Sequence, residues 1–295
     1  MVTHRIFHVN WREEIKSLAR IAVPLALFLS IGILRLYTNI FDSLDAIDLS
    51  IDVPFVWDAF YILIYATIFF GPVIYWWGRK KEGMVLAALL SGAGIAGLLS
   101  KEVFRLPRPF CTAEPGHGYP SFHAQVSVIG WGYLTKYAGY SVIVIPVVTG
   151  ISRICCGDHY FTDVIGGWLL GIGSVYCTPY LERIPVPESV WKRWAIIFIC
   201  AAVIYSIGYN VEHIPLVLGL LTGFFLGCST IKKSWEPVTM KKGIASSALG
   251  VIISIILLLS VVVLPHIMAA MIAGLWMSVC PLLFAELNLL RYSKE

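Results

Sequence analysis

The sequence predicts an all-α integral membrane protein: a six-helix core followed by about four additional C-terminal transmembrane helices. Of its 295 residues, 58% are hydrophobic and only 14% charged, against about 25% charged in a soluble domain. Apolar runs of about 20 residues, long enough to cross a bilayer as helices, recur along the whole length. What interrupts them is equally telling. Three short polar blocks between residues 101 and 163 place cations, histidines and a carboxylate beside runs that can enter a membrane. Charge there is costly and marks a pathway or a site.

In chain order, spans are predicted near 19–40, 55–78, 83–100, 122–137, 139–153, 160–180, 194–210, 214–231, 244–264 and 267–288. The first carries Pro24 and Arg35 in or near it, which weakens it as a span. The fourth and fifth are short and meet at a tight turn, Tyr137-Ala-Gly-Tyr140. Residues 1–20 carry Arg5, Arg12, Lys16 and Arg20 but also Glu13 and Glu14, with no small-residue cleavage site after the first apolar run. They read as a cytosolic lead-in, not a cleaved signal. Residues 184–193 read as a cytoplasmic linker between a six-span unit, 1–183, and a four-span unit, 194–295.

Basic residues set the expected orientation. Arg79, Lys80 and Lys81, then Arg183, Lys192 and Arg193, then Lys232, Lys233, Lys241 and Lys242 fall in loops on one side. The other side has Asp42, Asp45, Asp48, Asp52 and Glu212. Both termini are therefore expected to be cytoplasmic and the three polar blocks to lie on the far face. Gly219, Gly223 and Gly227, like Gly167 and Gly171, repeat every four residues and permit close helix approach. Packing within the chain is the expected use, with a homo-oligomer the alternative. No nucleotide-binding glycine loop and no nucleic-acid signature occur, and the seven cysteines show no zinc-like pairing.

The blocks are Lys101-Glu-Val-Phe-Arg-Leu-Pro-Arg108-Pro109, Pro120-Ser121-Phe122-His123, and Ser152-Arg153 with His159 and Asp163 following. With a helix starting near Asp158, His159 and Asp163 fall at i and i+4, so the carboxylate can accept from one imidazole nitrogen and leave the other free to attack. His123 is a second imidazole suited to give a proton to a leaving oxygen. Lys101, Arg108 and Arg153 supply the charge that phosphoryl transfer needs around its equatorial oxygens. Ser121 adds a hydroxyl, and the first N–H groups of the span starting at Phe122 add the positive end of a helix dipole. Pro107, Pro109 and Pro120 keep helix from running through the loop. The bland alternative is a set of loop charges snorkelling at helix ends.

The pattern Lys-(six)-Arg-Pro, Pro-Ser-x-His, Ser-Arg-(five)-His-(three)-Asp resembles the signature of the type 2 phosphatidic acid phosphatase superfamily over roughly residues 55–180. That superfamily includes lipid phosphate, polyprenyl diphosphate and sphingoid-base phosphate phosphatases, glucose-6-phosphatases and the soluble vanadium haloperoxidases. The resemblance implies His159 as nucleophile forming a phosphohistidine, Asp163 as its orienting partner and His123 as general acid. Lys101, Arg108, Ser121, Phe122 and Arg153 would bind the phosphate, with no metal or cofactor. Phe122 departs from the family, where Gly is frequent; its side chain is expected to narrow the pocket or face lipid. Arg105 is an extra cation, read either as support or as an interfacial snorkel, and His117 as solvated.

The implied activity is hydrolysis of a membrane lipid phosphate or diphosphate, in first place a polyprenyl diphosphate. A sphingoid-base phosphate or phosphatidic acid is the alternative substrate, and a transporter or scaffold with a phosphate-binding core the alternative class. Cys111 and the Cys155-Cys156 pair flank the blocks, and a disulfide from Cys111 to either would join the first and third.

Overall fold

The computed structural model describes residues 11–46, 66–109, 116–211, 213–260 and 264–293. Residues 1–10 of the lead-in, residues 55–65 of the second predicted span and the Cys111 disulfide lie outside them.

The chain before residue 184 contains α1 (Trp11–Tyr37), the short α2 (Asp42–Asp45), α3 (Phe70–Trp76), α4 (Lys80–Phe104) and α5 (Phe122–Ala138). A 3-10 turn at Tyr140–Ile143 leads into α6 (Val144–Cys155), followed by α7 (Phe161–Tyr176) and α8 (Thr178–Arg183). Beyond a non-helical stretch come α9 (Val190–Gly208), α10 (Ile214–Thr230), α11 (Met240–Leu259) and α12 (His266–Glu286).

Over the described residues, each predicted span coincides with helix. Among the described residues, six helical stretches are long and apolar enough to cross a membrane: Glu14–Tyr37, Lys80–Phe104, Phe161–Arg183, Val190–Gly208, Met240–Leu259 and His266–Glu286. The apolar stretches Tyr140–Cys155 and Ile214–Thr230 are shorter. Helix α5, with 17 residues, reaches about 25 Å against a hydrocarbon core of about 30 Å. It packs between α4 and α7, its inner face buried.

The four-residue glycine pattern is used inside the chain. A Cβ on Gly223 would collide with the Met271 carbonyl of α12, and one on Gly274 with the Leu220 carbonyl of α10. Small residues on both helices let the backbones touch, which is how helices associate where lipid is as apolar as their side chains. Gly167 and Gly171 of α7 meet α5 in the same way.

One feature is absent from the sequence prediction. Strands β1 (Trp235–Pro237) and β2 (Leu290–Tyr292) pair antiparallel, Trp235 opposite Tyr292. Three residues are too few for a two-residue period to register. The ribbon seats Trp235, 1% exposed, whose Nε1 donates to the Tyr75 carbonyl at 3.1 Å. Trp76 Nε1 donates to the Met277 carbonyl at 2.6 Å. One hydrophobic cluster thus runs from Tyr75 and Trp76 through Phe224 and Trp235 to Met277 and Phe284, joining α3 to the C-terminal helices. Beside it, an apolar cavity opens between α4 and α5 on one wall and α10 and α12 on the other.

Candidate active site

The three blocks converge where α4 ends and where α5 and α7 begin. Helix α4 stops because Arg105 takes a left-handed conformation, φ 49°, with its N–H on the Lys101 carbonyl, and Pro107 bars a restart. Arg105 is exposed and donates Nε to Glu102 O at 3.0 Å, so it caps its own helix and stays outside the site. Lys101, in the last turn, turns inward and gives its ammonium to the His117 carbonyl at 2.8 Å. His117 is half-buried and serves here through its backbone, which its reading as a solvated side chain did not anticipate.

Arg108 follows on an extended segment. Its Nη1 donates to the Asp158 carbonyl at 3.0 Å and lies 3.3 Å from His159 Nε2. Ser121 is the N-cap residue of α5, fully buried, with its N–H on the Asp163 carbonyl at 2.9 Å. Its Oγ and the Arg108 Nε are buried with no hydrogen-bond partner among the described residues. Such groups are rare in native proteins and call for an explanation, a missing ligand among them. Arg153, in the last turn of α6 and 1% exposed, sends Nη2 to Asp158 Oδ2 at 2.5 Å.

His159 and Asp163 meet, but not as two positions on one helix face. Helix α7 begins at Phe161, so His159 lies in the preceding loop. The pair forms because Asp163, in the first turn, folds back over the helix start. Its Oδ2 accepts the Tyr160 N–H at 2.9 Å and lies 3.3 Å from His159 Nδ1. Gly118 is required beside it, since a Cβ there would stand 2.7 Å from Asp163 Oδ2. A carboxylate at Nδ1 makes that nitrogen the proton donor and leaves Nε2 with its lone pair, facing Arg108.

Burial holds the His159 imidazole well below its ordinary proton affinity; Lys101, Arg108 and Arg153 push the same way and Asp158 opposes them. It is therefore neutral at physiological pH. His123, in the first turn of α5, lies among the same three cations and His159. Lys101, Arg108, Arg153, His123 and His159 therefore share one locus, and Arg105 does not.

Phe122 does not contribute its side chain. The ring packs on Gly94 of α4, 3.3 Å from where a Cβ would be, beside Ile95 and Leu98, and lines the apolar cavity. Only its backbone remains at the site. Two residues that the motifs do not specify belong to it: Asp158, the partner of Arg153, and Arg35 of α1. Arg35 Nη1 donates to Asp163 Oδ1 at 2.5 Å. An arginine in an apolar run was the available signal for it. Among the described residues, no group of three or more His, Cys, Asp or Glu side chains could hold a metal ion.

The profile of the PAP2 superfamily matches residues 82–185, the stretch that carries every block. The bacitracin transport permease protein BcrC of Bacillus licheniformis is 30% identical over 144 residues, 42% of this chain and 70% of that protein. An undecaprenyl-diphosphatase of Sulfolobus acidocaldarius is 30% identical over 116 residues, 35% of this chain and 56% of its own length. The lipid A 1-diphosphate synthase of Escherichia coli is 34% identical over 74 residues, 22% of this chain and 31% of that protein. No solved structure gives a significant match.

Proposed function

The chain belongs to the PAP2 superfamily, and from that premise we propose that it is a membrane lipid phosphatase acting on a polyprenyl diphosphate through a phosphohistidine. The observation that carries the reading is the cluster of half-buried Lys101 and Arg108 and buried Arg153 around the lone-pair nitrogen of His159, with Ser121 Oγ and Arg108 Nε buried and without a hydrogen-bond partner among the described residues. Three cations set against few counter-charges in a buried site suit a phosphoryl group.

In the first step His159 Nε2 attacks phosphorus. The P–N bond forms as the P–O bond to the leaving group breaks, and His123, which takes up a proton as the anionic phosphate enters and offsets the cations around it, protonates the departing oxygen. Asp163 steadies the imidazolium that results. Lys101, Arg108, Ser121 and Arg153 hold the equatorial oxygens, with the Phe122 N–H at the start of α5. In the second step a water gives its proton to His123 and attacks phosphorus. The P–N bond breaks, releasing phosphate and restoring neutral His159. No metal is assigned to either step.

The preference for a diphosphate rests on the undecaprenyl-diphosphatase relative. The apolar cavity whose wall includes Phe122, the residue before His123, supports a lipid substrate, because a chain laid there would leave its head at the blocks. We assign residues 1–183 as the phosphatase unit, with both termini cytoplasmic and the site on the opposite face. The transport name of the Bacillus relative keeps a carrier reading in view.

The test is phosphate release by detergent-purified protein with chelator present, comparing a polyprenyl diphosphate, a polyprenyl monophosphate, a sphingoid-base phosphate and a phosphatidic acid. His159→Ala is the blank. Fastest release from the diphosphate supports the reading, and preference for a monophosphate replaces the substrate. Release no greater than the blank on all four defeats the enzyme.

A further inference from the structure

We propose that Arg35 is a positioning residue of this site, fixing the Asp163 carboxylate so that the Asp163–His159 pair stays aligned and deprotonated. Its effect on turnover rests on the phosphatase reading; its effect on the titration of the pair does not.

Arg35 lies in the last turn of α1, outside all three blocks. Its side chain is 7% exposed and that of Asp163 not at all. The guanidinium is held from several directions. Nη1 reaches Asp163 Oδ1 at 2.5 Å, and Nε lies 3.2 Å from Asp45 Oδ2. The Tyr119 and Tyr160 rings stand 5.9 Å and 5.3 Å away, near enough for cation–π attraction. These tyrosines flank the second and third blocks, just before Pro120-Ser121 and just after His159. Asp45 is fixed in turn by Thr162, whose Oγ1 donates at 2.9 Å and whose N–H lies at 3.3 Å.

The arrangement is a relay: Thr162, Asp45, Arg35, Asp163, His159. Its consequence is geometric. With Oδ1 tied to Arg35, the carboxylate cannot rotate, so Oδ2 stays at His159 Nδ1. The planar arginine fork serves two carboxylates in fixed directions, which a lysine cannot do.

It is also electrostatic. His159 is faced by Lys101 on α4, Arg108 after it, His123 on α5, Arg153 on α6, Asp158 in its own loop and Asp163 on α7. Arg35 on α1 and Asp45 on α2 stand behind Asp163. The attacking form needs Asp163 ionised and His159 neutral. Arg35 opposes protonation of either, and Asp45 offsets Arg35. Loss of the Arg35 charge should therefore let a proton onto the pair at higher pH, whichever member holds it. Loss of the Asp45 charge should do the reverse.

An arginine that only anchored α1 would affect folding but leave kcat at the pH optimum of the folded protein unchanged. The experiment follows His159 by nitrogen-15 histidine NMR on the full chain in detergent, with His159→Asn for assignment, and follows phosphate release from farnesyl diphosphate against pH. Arg35→Met should raise the titration midpoint and the acid limb and lower kcat about 10- to 100-fold, as loss of an orienting outer partner does, with KM little changed. Asp45→Asn should move the midpoint down, and Arg35→Lys should restore the midpoint but not kcat. Unchanged midpoints in both Arg35→Met and Asp45→Asn, or shifts of the same sign, overturn the proposal. Absence of turnover in the unmutated protein would defeat the phosphatase reading, while the midpoints still decide the role of Arg35.

Discussion

Arg35 and Asp163, 128 residues apart, form a 2.5 Å charge-assisted hydrogen bond that joins the first helix to the start of α7. Asp163 is thereby committed twice, through Oδ1 to Arg35 and through Oδ2 to His159 and Tyr160. Asp163→Asn keeps the shape but can present an amide N–H where a carboxylate oxygen should accept. Its kcat is expected to fall by up to about 10⁴, the loss seen when an orienting aspartate is amidated in a serine protease. Asp163→Ala should in addition destabilise the chain, by less than the about 3–5 kcal/mol of a fully unpaired buried charge, because Arg35 loses one of its two carboxylates and keeps Asp45. Phosphate-release kinetics together with thermal unfolding in detergent check both.

Ser121 separates function from stability. Its buried Oγ has no partner among the described residues, so Ser121→Ala removes an unsatisfied hydroxyl and should leave the unfolding temperature unchanged or slightly raised. If the hydroxyl serves phosphate, KM should rise several-fold, in line with about 1 kcal/mol for one hydrogen bond. A fall in stability with unchanged KM would remove Ser121 from the site.

The pH dependence follows from His159. Its proton affinity in the folded chain lies well below the ordinary value, near 6.5. The acid limb of kcat/KM should therefore lie below that value, with activity persisting at pH 6. The same shift works against stability in acid. Below about 6.5 the unfolded chain binds a proton that the folded chain refuses, so stability present above that pH is lost as pH falls toward the folded value. Rate profiles and unfolding temperatures between pH 4 and 8 test the two together.

The apolar cavity gives a chain-length prediction. Leu221→Trp on α10 would fill part of it. Excluding two methylenes of a lipid chain costs about 1.6 kcal/mol, or about 15-fold in KM. A long-chain diphosphate should show that loss, and a short water-soluble phosphate ester should be hydrolysed as before. Equal effects on both would place the chain elsewhere.

Much of this was legible in the sequence, for identifiable reasons. Hydropathy located the helices because lipid-facing runs need no tertiary information. The blocks were legible because prolines and fixed spacings set them apart from apolar surroundings. Arg35 was read only as a blemish in its span, since nothing local says that a residue near the end of α1 will reach Asp163. Asp158 lay inside the five unspecified positions between Arg153 and His159. The His159–Asp163 pair was reached through helix periodicity, whereas the folded chain makes it from a loop residue and a helix-start carboxylate, which have the same sequence spacing. Phe122 could not be placed from sequence because its direction depends on Gly94, a residue of another helix that leaves room for the ring.

The central claim is a covalent phosphoryl group on His159. The most direct measurement is an acid-free rapid quench of the purified protein mixed with phosphorus-32-labelled polyprenyl diphosphate, followed by alkaline-stable peptide mapping. The account requires label on the peptide containing His159, formed and lost at rates consistent with turnover and absent in His159→Ala. Steady phosphate release with no label on that peptide at any time would contradict it.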